Sequence, residues 1–402
     1  MHFETLFITF PGNDTMTVMK KILQFFKKEL MLTLALAAAL ASLLITKPDM
    51  SLIRNIDWRT LGTLFMMLTV LEGFKKENIF SPVIRFSTRF RSMTGLSLFL
   101  VFGVFFTSMF VTNDVSLIIF VPLTILLFRS AGKEYLILPV ISLQNIAAIR
   151  GSMLMPFGSP QNLFLFGRFG VSAGTFVLHM LPLCVSSALL LIIFILVMMR
   201  KEKENLSFAG TEVTPSDPGE TDRRRRTRRI AYPILFLIIL TVIVTRTTLW
   251  PYAVALILVS MLVLDASILR RTDYVLLATF LCFFIFSSSI TGNKGISEFL
   301  SRLVSGREYW WSIGISQIIS NVPASIVLWP FTTNRAGLIY GLDTAGLCSL
   351  IGSLASVINY RIYVREYPGR GMAFVKTFTL VSWAFFIIVV IPGYLLSFWP
   401  FA

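Results

Sequence analysis

Lipid offers a polypeptide backbone no hydrogen-bond partners, so a chain inside a bilayer must satisfy its own N–H and C=O groups. This chain has apolar runs close to the roughly 20 residues that a crossing helix needs, at 30–46, 58–74, 176–199, 230–246, 250–264, 273–290 and 373–398. They predict an all-α membrane protein. Two longer stretches, 135–168 and 334–366, are broken by glycine-rich segments near their middles. Two more, 94–128 and 308–332, are interrupted by Thr112-Asn113-Asp114 and Ser320-Asn321-Val322. Arms of at most about 17 residues give about 25 Å of helix, short of the roughly 30 Å hydrocarbon core. Each interrupted stretch is therefore read as a re-entrant hairpin with its tip near the midplane, in preference to one tilted span or two short ones.

Composition agrees. Hydrophobic residues make up 55% of the 402 and charged residues only 14%, against about 25% charged in soluble proteins. The net charge of +15 does not imply nucleic acid, because the basic residues cluster in short loops between apolar runs. Cys184, Cys282 and Cys348 are far apart within apolar sequence, and His2 and His179 are isolated. No disulfide framework, metal site or haem site follows. Lys20, Lys21, Lys27 and Lys28 precede the first run without a small-residue cleavage site after it, so that helix is expected to stay.

The basic stretch 200–229, with Thr214-Pro215, Asp217-Pro218-Gly219 and Arg223 to Arg226, reads as a disordered linker that anchors topology and touches lipid headgroups. With this linker in the cytoplasm, and with both hairpins returning to their own side, most Lys and Arg residues fall inside. Lys47, Arg54, Arg168, Arg246, Lys294, Arg302 and Arg307 fall outside, while Arg59, Arg150, Arg335 and Lys376 lie in or beside spans. This bias places the N-terminus in the cytoplasm of a multi-pass inner-membrane protein. The first membrane half is then 1–199, with scaffold helices 30–74, hairpin 94–128, broken helix 135–168 and helix 176–199. The second half is 230–402, with helices 230–290, hairpin 308–332, broken helix 334–366 and helix 373–398.

Three landmarks recur in order. The loop from Asp49 to Asp57-Trp58 resembles that from Asp265 to Asp273-Tyr274. The tip Thr112-Asn113, followed by Pro122, matches Ser320-Asn321, followed by Pro330. Gly158-Ser159 in the first broken stretch matches Gly352-Ser353 in the second. The threading puts the first loop outside and its counterpart inside, so the repeats are inverted, as in secondary transporters.

These residues resemble the ion transporter superfamily, which includes arsenite-efflux permeases, citrate and other carboxylate carriers, and a class of sodium/proton antiporters. The resemblance rests on Thr112-Asn113-Asp114-Val115, on Gly151-Ser152 through Pro156-Phe157-Gly158-Ser159-Pro160-Gln161-Asn162, on Ser320-Asn321-Val322-Pro323-Ala324 and on Ile351-Gly352-Ser353-Leu354-Ala355. With helix order it extends over 30–400. It implies a dimerising scaffold domain and a transport domain that moves like an elevator and carries the hairpins and broken helices. It also leaves 230–246 without a counterpart in the first half. The carboxylate carriers typically show Ser-Asn-Thr at both tips. Asp114 and Val322 depart from that pattern and lean toward the arsenite-permease and antiporter side.

At a hairpin tip the second helix offers open N–H groups and a partial positive charge to an anion, and the first offers carbonyls to a cation. The candidate substrate and ion site is Thr112, Asn113, Asp114, Arg150, Gly151, Ser152, Gly158, Ser159, Asn162, Ser320, Asn321, Val322, Gly352 and Ser353. Sodium is a candidate near Asn113 and Asn321, whose amides can donate or accept. Thr112 and Ser320 also occupy helix N-cap positions, so capping is the plainer role for their hydroxyls. Asp114 and Arg150 are either a structural ion pair or transport groups, because intramembrane charge is costly. Asp114 and Asp343 are candidate proton carriers. Glu72 is expected to snorkel from a span end, and Arg335 to sit at an interface. The expected activity is secondary transport of a small inorganic or organic anion with protons or sodium, by a homodimer. Sodium/proton antiport is the alternative. An enzyme is excluded because no nucleophile–base pair, metal cluster or paired acids occur, an ATP-driven pump because no phosphate-binding Gly-Lys-Ser/Thr loop occurs, and a channel is disfavoured by the broken helices.

Overall fold

A computed structural model of the chain describes residues 29–46, 50–77, 79, 90, 92–202 and 222–401. The N-terminal lysines and the linker core 203–221 lie outside the described residues. In chain order the helices are α1 (Leu30–Ile45), α2 (Met50–Arg54), α3 (Trp58–Lys76), α4 (Met93–Val111), α5 (Asn113–Ser130), α6 (Ile137–Ser152), α7 (Pro160–Phe169), α8 (Ala173–Met198) and α9 (Asp222–Thr245). They continue as α10 (Trp250–Asp265), α11 (Ser267–Arg271), α12 (Tyr274–Gly292), α13 (Lys294–Val304), α14 (Glu308–Ile319), α15 (Asn321–Leu328), α16 (Arg335–Ala345), α17 (Leu354–Glu366) and α18 (Gly371–Leu396). The fold is all-α, with no strand among the described residues. Several helices, α4, α5, α8, α9, α12 and α18 among them, are long and apolar enough to cross a membrane.

The chain divides into two compact units. The first comprises Met1–Glu77 and Asp222–Leu303; the second, Asn78–Thr221 and Val304–Ala402. Each draws on both halves of the sequence.

The first unit repeats its parts. Asp57 caps α3 by accepting from the Thr60 N–H, and Asp273 caps α12 by accepting from the Leu276 N–H. The two caps share nearly the same backbone, φ/ψ −82/78 and −78/82. Packing is exchanged: α1 lies on α12 as α10 lies on α3, and α2 lies on α12 as α11 lies on α3. Asn55 donates to Ser288 at 3.1 Å, and Thr272 meets Thr69 at 3.2 Å. Helix α9 has no counterpart, and it starts within the stretch read above as linker. Arginine is a good helix former, and these arginines have partners. Arg228 binds the buried Glu77 at 2.7 Å, and Arg229 donates to the Glu77 carbonyl at 3.0 Å. Lys76 pairs with Asp265 in the same cluster. Glu72 pairs with Lys75 at 3.0 Å.

The second unit holds the interrupted helices. In the first hairpin, α4 and α5 are joined through Thr112 alone, and residues nearly equidistant from it touch: Thr107 donates to Ser116 at 3.0 Å. Its arms have 19 and 18 residues, longer than the apolar count suggested, because Ser92 caps α4 early and α5 runs on through Arg129. The second hairpin keeps short arms of 12 and 8 residues. Packing is again exchanged between the halves: α5 lies on α17 as α15 lies on α7. Buried amides fasten the crossing. Asn145 donates to Ser356 at 3.0 Å and Asn359 to the Ile141 carbonyl at 2.7 Å. Arg335, exposed at the start of α16, donates to the Phe169 carbonyl at 2.7 Å.

Helix α8 buries Phe176, Met180, Leu183, Ser187, Leu191 and Ile195 at helical spacing and exposes Leu178, Val185, Leu189 and Ile193 on the other side. Helix α18 does the same. A helix apolar all round needs an apolar solvent on its outer face.

Glycine sets the closest helix contacts. A Cβ on Gly151 of α6 would stand 2.0 Å from the Phe105 carbonyl oxygen of α4, and one on Gly341 of α16 would stand 2.4 Å from the Tyr309 carbonyl oxygen of α14. Gly151→Ala is therefore expected to cost about 1–3 kcal/mol or more. Gly314→Ala, with open space around its Cβ, should be neutral or stabilise by up to about 1 kcal/mol. Thermal unfolding of the two purified variants in detergent checks the contrast.

Candidate functional site

The two hairpin tips have the same unusual backbone. Thr112 has φ/ψ 71/155 and Ser320 has 70/158. Positive φ with extended ψ is a region populated almost only by glycine, and holding another residue there costs about 1–3 kcal/mol. A β-branched threonine is a poor choice for it. Strain repeated at corresponding positions is imposed by the fold.

Neither residue performs the capping expected of it. Both stand at N-cap positions without a side-chain cap hydrogen bond. The Ser320 hydroxyl reaches only Asn321 Oδ1, at 3.5 Å. Asn113 Oδ1 accepts from the Asp114 N–H at 2.9 Å, and the Asn321 N–H donates to the Gly352 carbonyl at 3.2 Å. Asn113, Ser320, Asn321 and Val322 are buried, whereas Thr112 and Asp114 are half-buried.

Each tip rests on the break of its own half. Phe110, just before the first tip, lies 6.5 Å from Phe157 between ring centroids. At the second, Gln317 donates to the Ala345 carbonyl at 3.1 Å and accepts from Ser349 at 2.7 Å. The breaks are alike as well. Ser159 and Ser353 open α7 and α17 with φ/ψ −146/154 and −147/139. Ser159 caps its helix by accepting from the Asn162 N–H, whereas the buried Ser353 hydroxyl has no hydrogen-bond partner. Several candidates have local structural roles. Ser152 donates to the Ile149 carbonyl and Asn162 to the Met153 carbonyl, at 3.1 and 3.2 Å. Gly158 and Gly352 let the chain pass Ser152 O and Ala345 O, where a Cβ would come within 2.2 and 2.5 Å.

The halves meet beside Arg150. Gly346, in the second break, faces Ile149 of α6 so closely that a Cβ would stand 3.1 Å from it. Arg150 is 0% exposed. Its Nη1 contacts the Met153 sulfur at 3.8 Å, and its Nε and Nη2 have no hydrogen-bond partner. Among the described residues no ion pair or hydrogen bond joins it to Asp114, so of the two readings of these charges the structural ion pair is not formed. Asp343, 1% exposed, lies within electrostatic reach of Arg150. Its Oδ1 accepts from Gln161 Nε2 at 3.3 Å; Asn162 stands beside it, yet Oδ2 has no hydrogen bond of ordinary geometry. Gln161, quoted above within its motif, was not among the candidate site residues, because a glutamine inside a Pro-Gln-Asn run carries no sign of facing a carboxylate from the other half. Among the described residues no cluster of His, Cys, Asp and Glu could hold a metal ion.

The sequence profile of a family described as citrate transporter, CitMHS, matches residues 17–337. The chain is 29% identical over 314 residues to inner membrane protein YbiR of Escherichia coli (strain K12), covering 76% of this chain and 80% of that protein. It is 26% identical over 353 residues to the uncharacterized transporter MJ0456 of Methanocaldococcus jannaschii, covering 87% of this chain and 92% of that protein. The crystal structure of the Alcanivorax borkumensis YdaH transporter, described as having an unusual topology, aligns with 92% of this chain and 96% of its own, at a TM-score of 0.49 and 12% identity. That likeness is too distant to carry an argument.

Replacing the strained residues separates stability from use. Thr112→Gly and Ser320→Gly should each stabilise the protein by about 1 kcal/mol or more while lowering transport through loss of the hydroxyl. Thermal unfolding and proteoliposome flux, measured on the same preparations, test both halves of that expectation.

Proposed function

The chain belongs to the citrate transporter (CitMHS) family of multi-pass membrane transporters, and from that premise we propose that it is a secondary active carrier of a small inorganic or organic anion, driven by protons or sodium. One observation carries the reading. Two oppositely derived hairpins in one unit place uncapped hydroxyls, Thr112 and Ser320, on strained residues that open α5 and α15. Helix starts favour an anion through their open N–H groups and partial positive charge. Asn113 and Asn321 supply amides beside them, and the carbonyl ends of α4 and α14 suit sodium. The description of the family favours a carboxylate among the anions.

Elevator-like alternating access fits a chain in which one unit carries both hairpins and both broken helices and the other carries none. The first unit is then the scaffold and the surface for a homodimer. The basic start of α9 lies in the cytoplasm by the positive-inside rule, together with the N-terminus. YbiR, named as an inner membrane protein, supports the inner membrane as the location. Sodium/proton antiport is the second reading, favoured by the acidic first tip at Asp114.

Asn113→Ala and Asn321→Ala should each reduce flux by about tenfold or more, the scale of losing a hydrogen bond to a charged group, without loss of membrane insertion. Uptake by proteoliposomes of citrate and of phosphate, under imposed proton or sodium gradients, reads this out. Unaltered flux in both variants would refute the site. A cytoplasm-specific reporter inserted between 203 and 221 should be active, and an inactive one would refute the orientation.

A further inference from the structure

A chain of hydrogen bonds ties the second hairpin to the second break, and it starts at Gln317 in the last turn of α14. Gln317 Nε2 donates to the Ile313 carbonyl of its own helix at 2.9 Å and to the Ala345 carbonyl at the end of α16 at 3.1 Å. Its Oε1 accepts from the Ser349 hydroxyl at 2.7 Å. Ser349 Oγ accepts in turn from the Gly352 N–H at 3.3 Å, and the Gly352 carbonyl accepts from the Asn321 N–H at 3.2 Å. The partners fix the orientation of the amide: two carbonyls require its NH2, and a hydroxyl can serve its oxygen. Glycine is needed at 352, where a Cβ would stand 3.0 Å from Gln317 Oε1. Helix α18 holds the same break. Ser382 donates to the Leu347 carbonyl and Trp383 Nε1 to the Cys348 carbonyl, each at 2.7 Å.

The first half is built differently at the same places. Gln317 stands three residues before Ser320, and Met109 stands three before Thr112. A thioether has no N–H or O–H to give. The first tip meets its break through the rings of Phe110 and Phe157. Helix α8, the counterpart of α18, offers the Cys184 thiol, a weak donor 3.6 Å from the Arg150 carbonyl. Backbone symmetry between the tips is therefore kept by unequal means.

From these contacts we propose that Gln317 is a positioning residue of the transport site, which through Ser349 and Gly352 holds Asn321 in place before substrate arrives. The inference rests on the anion-carrier reading above and deepens it by dividing the site into a preset half and a half that settles on the substrate. The chain ends at Asn321, and the residue after Gly352 is Ser353, whose buried hydroxyl has no hydrogen-bond partner. Binding groups on both sides of the second tip are thus held open and in register. A ligand that needs a tip in one position binds more weakly in proportion to the time that tip spends elsewhere. Once the ligand is bound, the site is assembled and later steps are unchanged. Cutting the chain should therefore raise KM and leave the maximal rate alone. Breaking it at either link should have the same effect, because both links serve one connection.

Full-length protein tests this in two ways. In proteoliposomes, with citrate and with phosphate as probes, Gln317→Met and Ser349→Ala should each raise KM by about tenfold, the scale of one lost hydrogen bond, with the maximal rate within about twofold. The double variant should also stay near tenfold instead of reaching about a hundredfold. In detergent, amide hydrogen exchange in a peptide spanning 320–328 should quicken by about tenfold in either variant, while a peptide spanning 112–121 keeps its wild-type rate. Loss of folding, or equal quickening of both peptides, would mark a purely structural role and overturn the proposal. Should wild type move neither probe, the anion-carrier reading falls and the role in transport falls with it. Should wild type transport a probe and the variants keep its KM, or the two single effects multiply in the double variant, the positioning role of Gln317 alone is refuted.

Discussion

A helix that stops inside a membrane leaves several N–H and C=O groups open in a medium that cannot satisfy them. The second unit contains four interruptions of its helices, two tips and two breaks, and its packing bears on that constraint. The tip of each hairpin rests on the break of its own half, and the outgoing arm leans on the broken helix of the other. Helix ends are thereby gathered close to other elements of the unit. A place rich in unspent backbone donors and acceptors is also a place where an ion can exchange its water for protein. Under the proposed function, structural need and transport share one solution.

The repeat extends below the level of sequence likeness. Thr112 and Ser320 differ by a methyl group yet agree in φ and ψ within a few degrees. Asp57 and Asp273 hold matching caps. Between these anchors the side chains diverge, and the site inherits the difference: Asp114 follows one asparagine and Val322 the other. Under the proposed function, symmetric backbone with asymmetric charge lets a single substrate be held from both sides while the coupling chemistry stays on a few residues.

Much of this was legible in the chain. Polar and glycine interruptions of apolar runs stand out against lipid-compatible sequence, so the tips and breaks were found from composition alone. The arms of the first hairpin were underestimated because hydropathy ends where Ser92 and Arg129 begin, although both can cap or continue a helix. The start of α9 was hidden for a related reason: a run of arginines reads as solvated linker until Glu77 is known to receive it. The sequence left Arg150 and Asp114 as either a structural ion pair or transport groups. The structure instead brings up Asp343, through the crossing of two halves that no local pattern encodes.

That crossing has a consequence for how the protein is made. Asn145 and Ser356 are 211 residues apart in the chain, and Asn359 and Ile141 are 218 apart. At a synthesis rate of about 5–20 residues per second, a gap of that size takes about 10–40 s to emerge from a ribosome. Throughout that interval the first hairpin and first broken helix occupy the bilayer without the partners that cover Arg150 and Asn145. The nascent first half is therefore an obligatory folding intermediate with polar groups awaiting burial. Any factor that shields intramembrane polar surface during translation would find its substrate there.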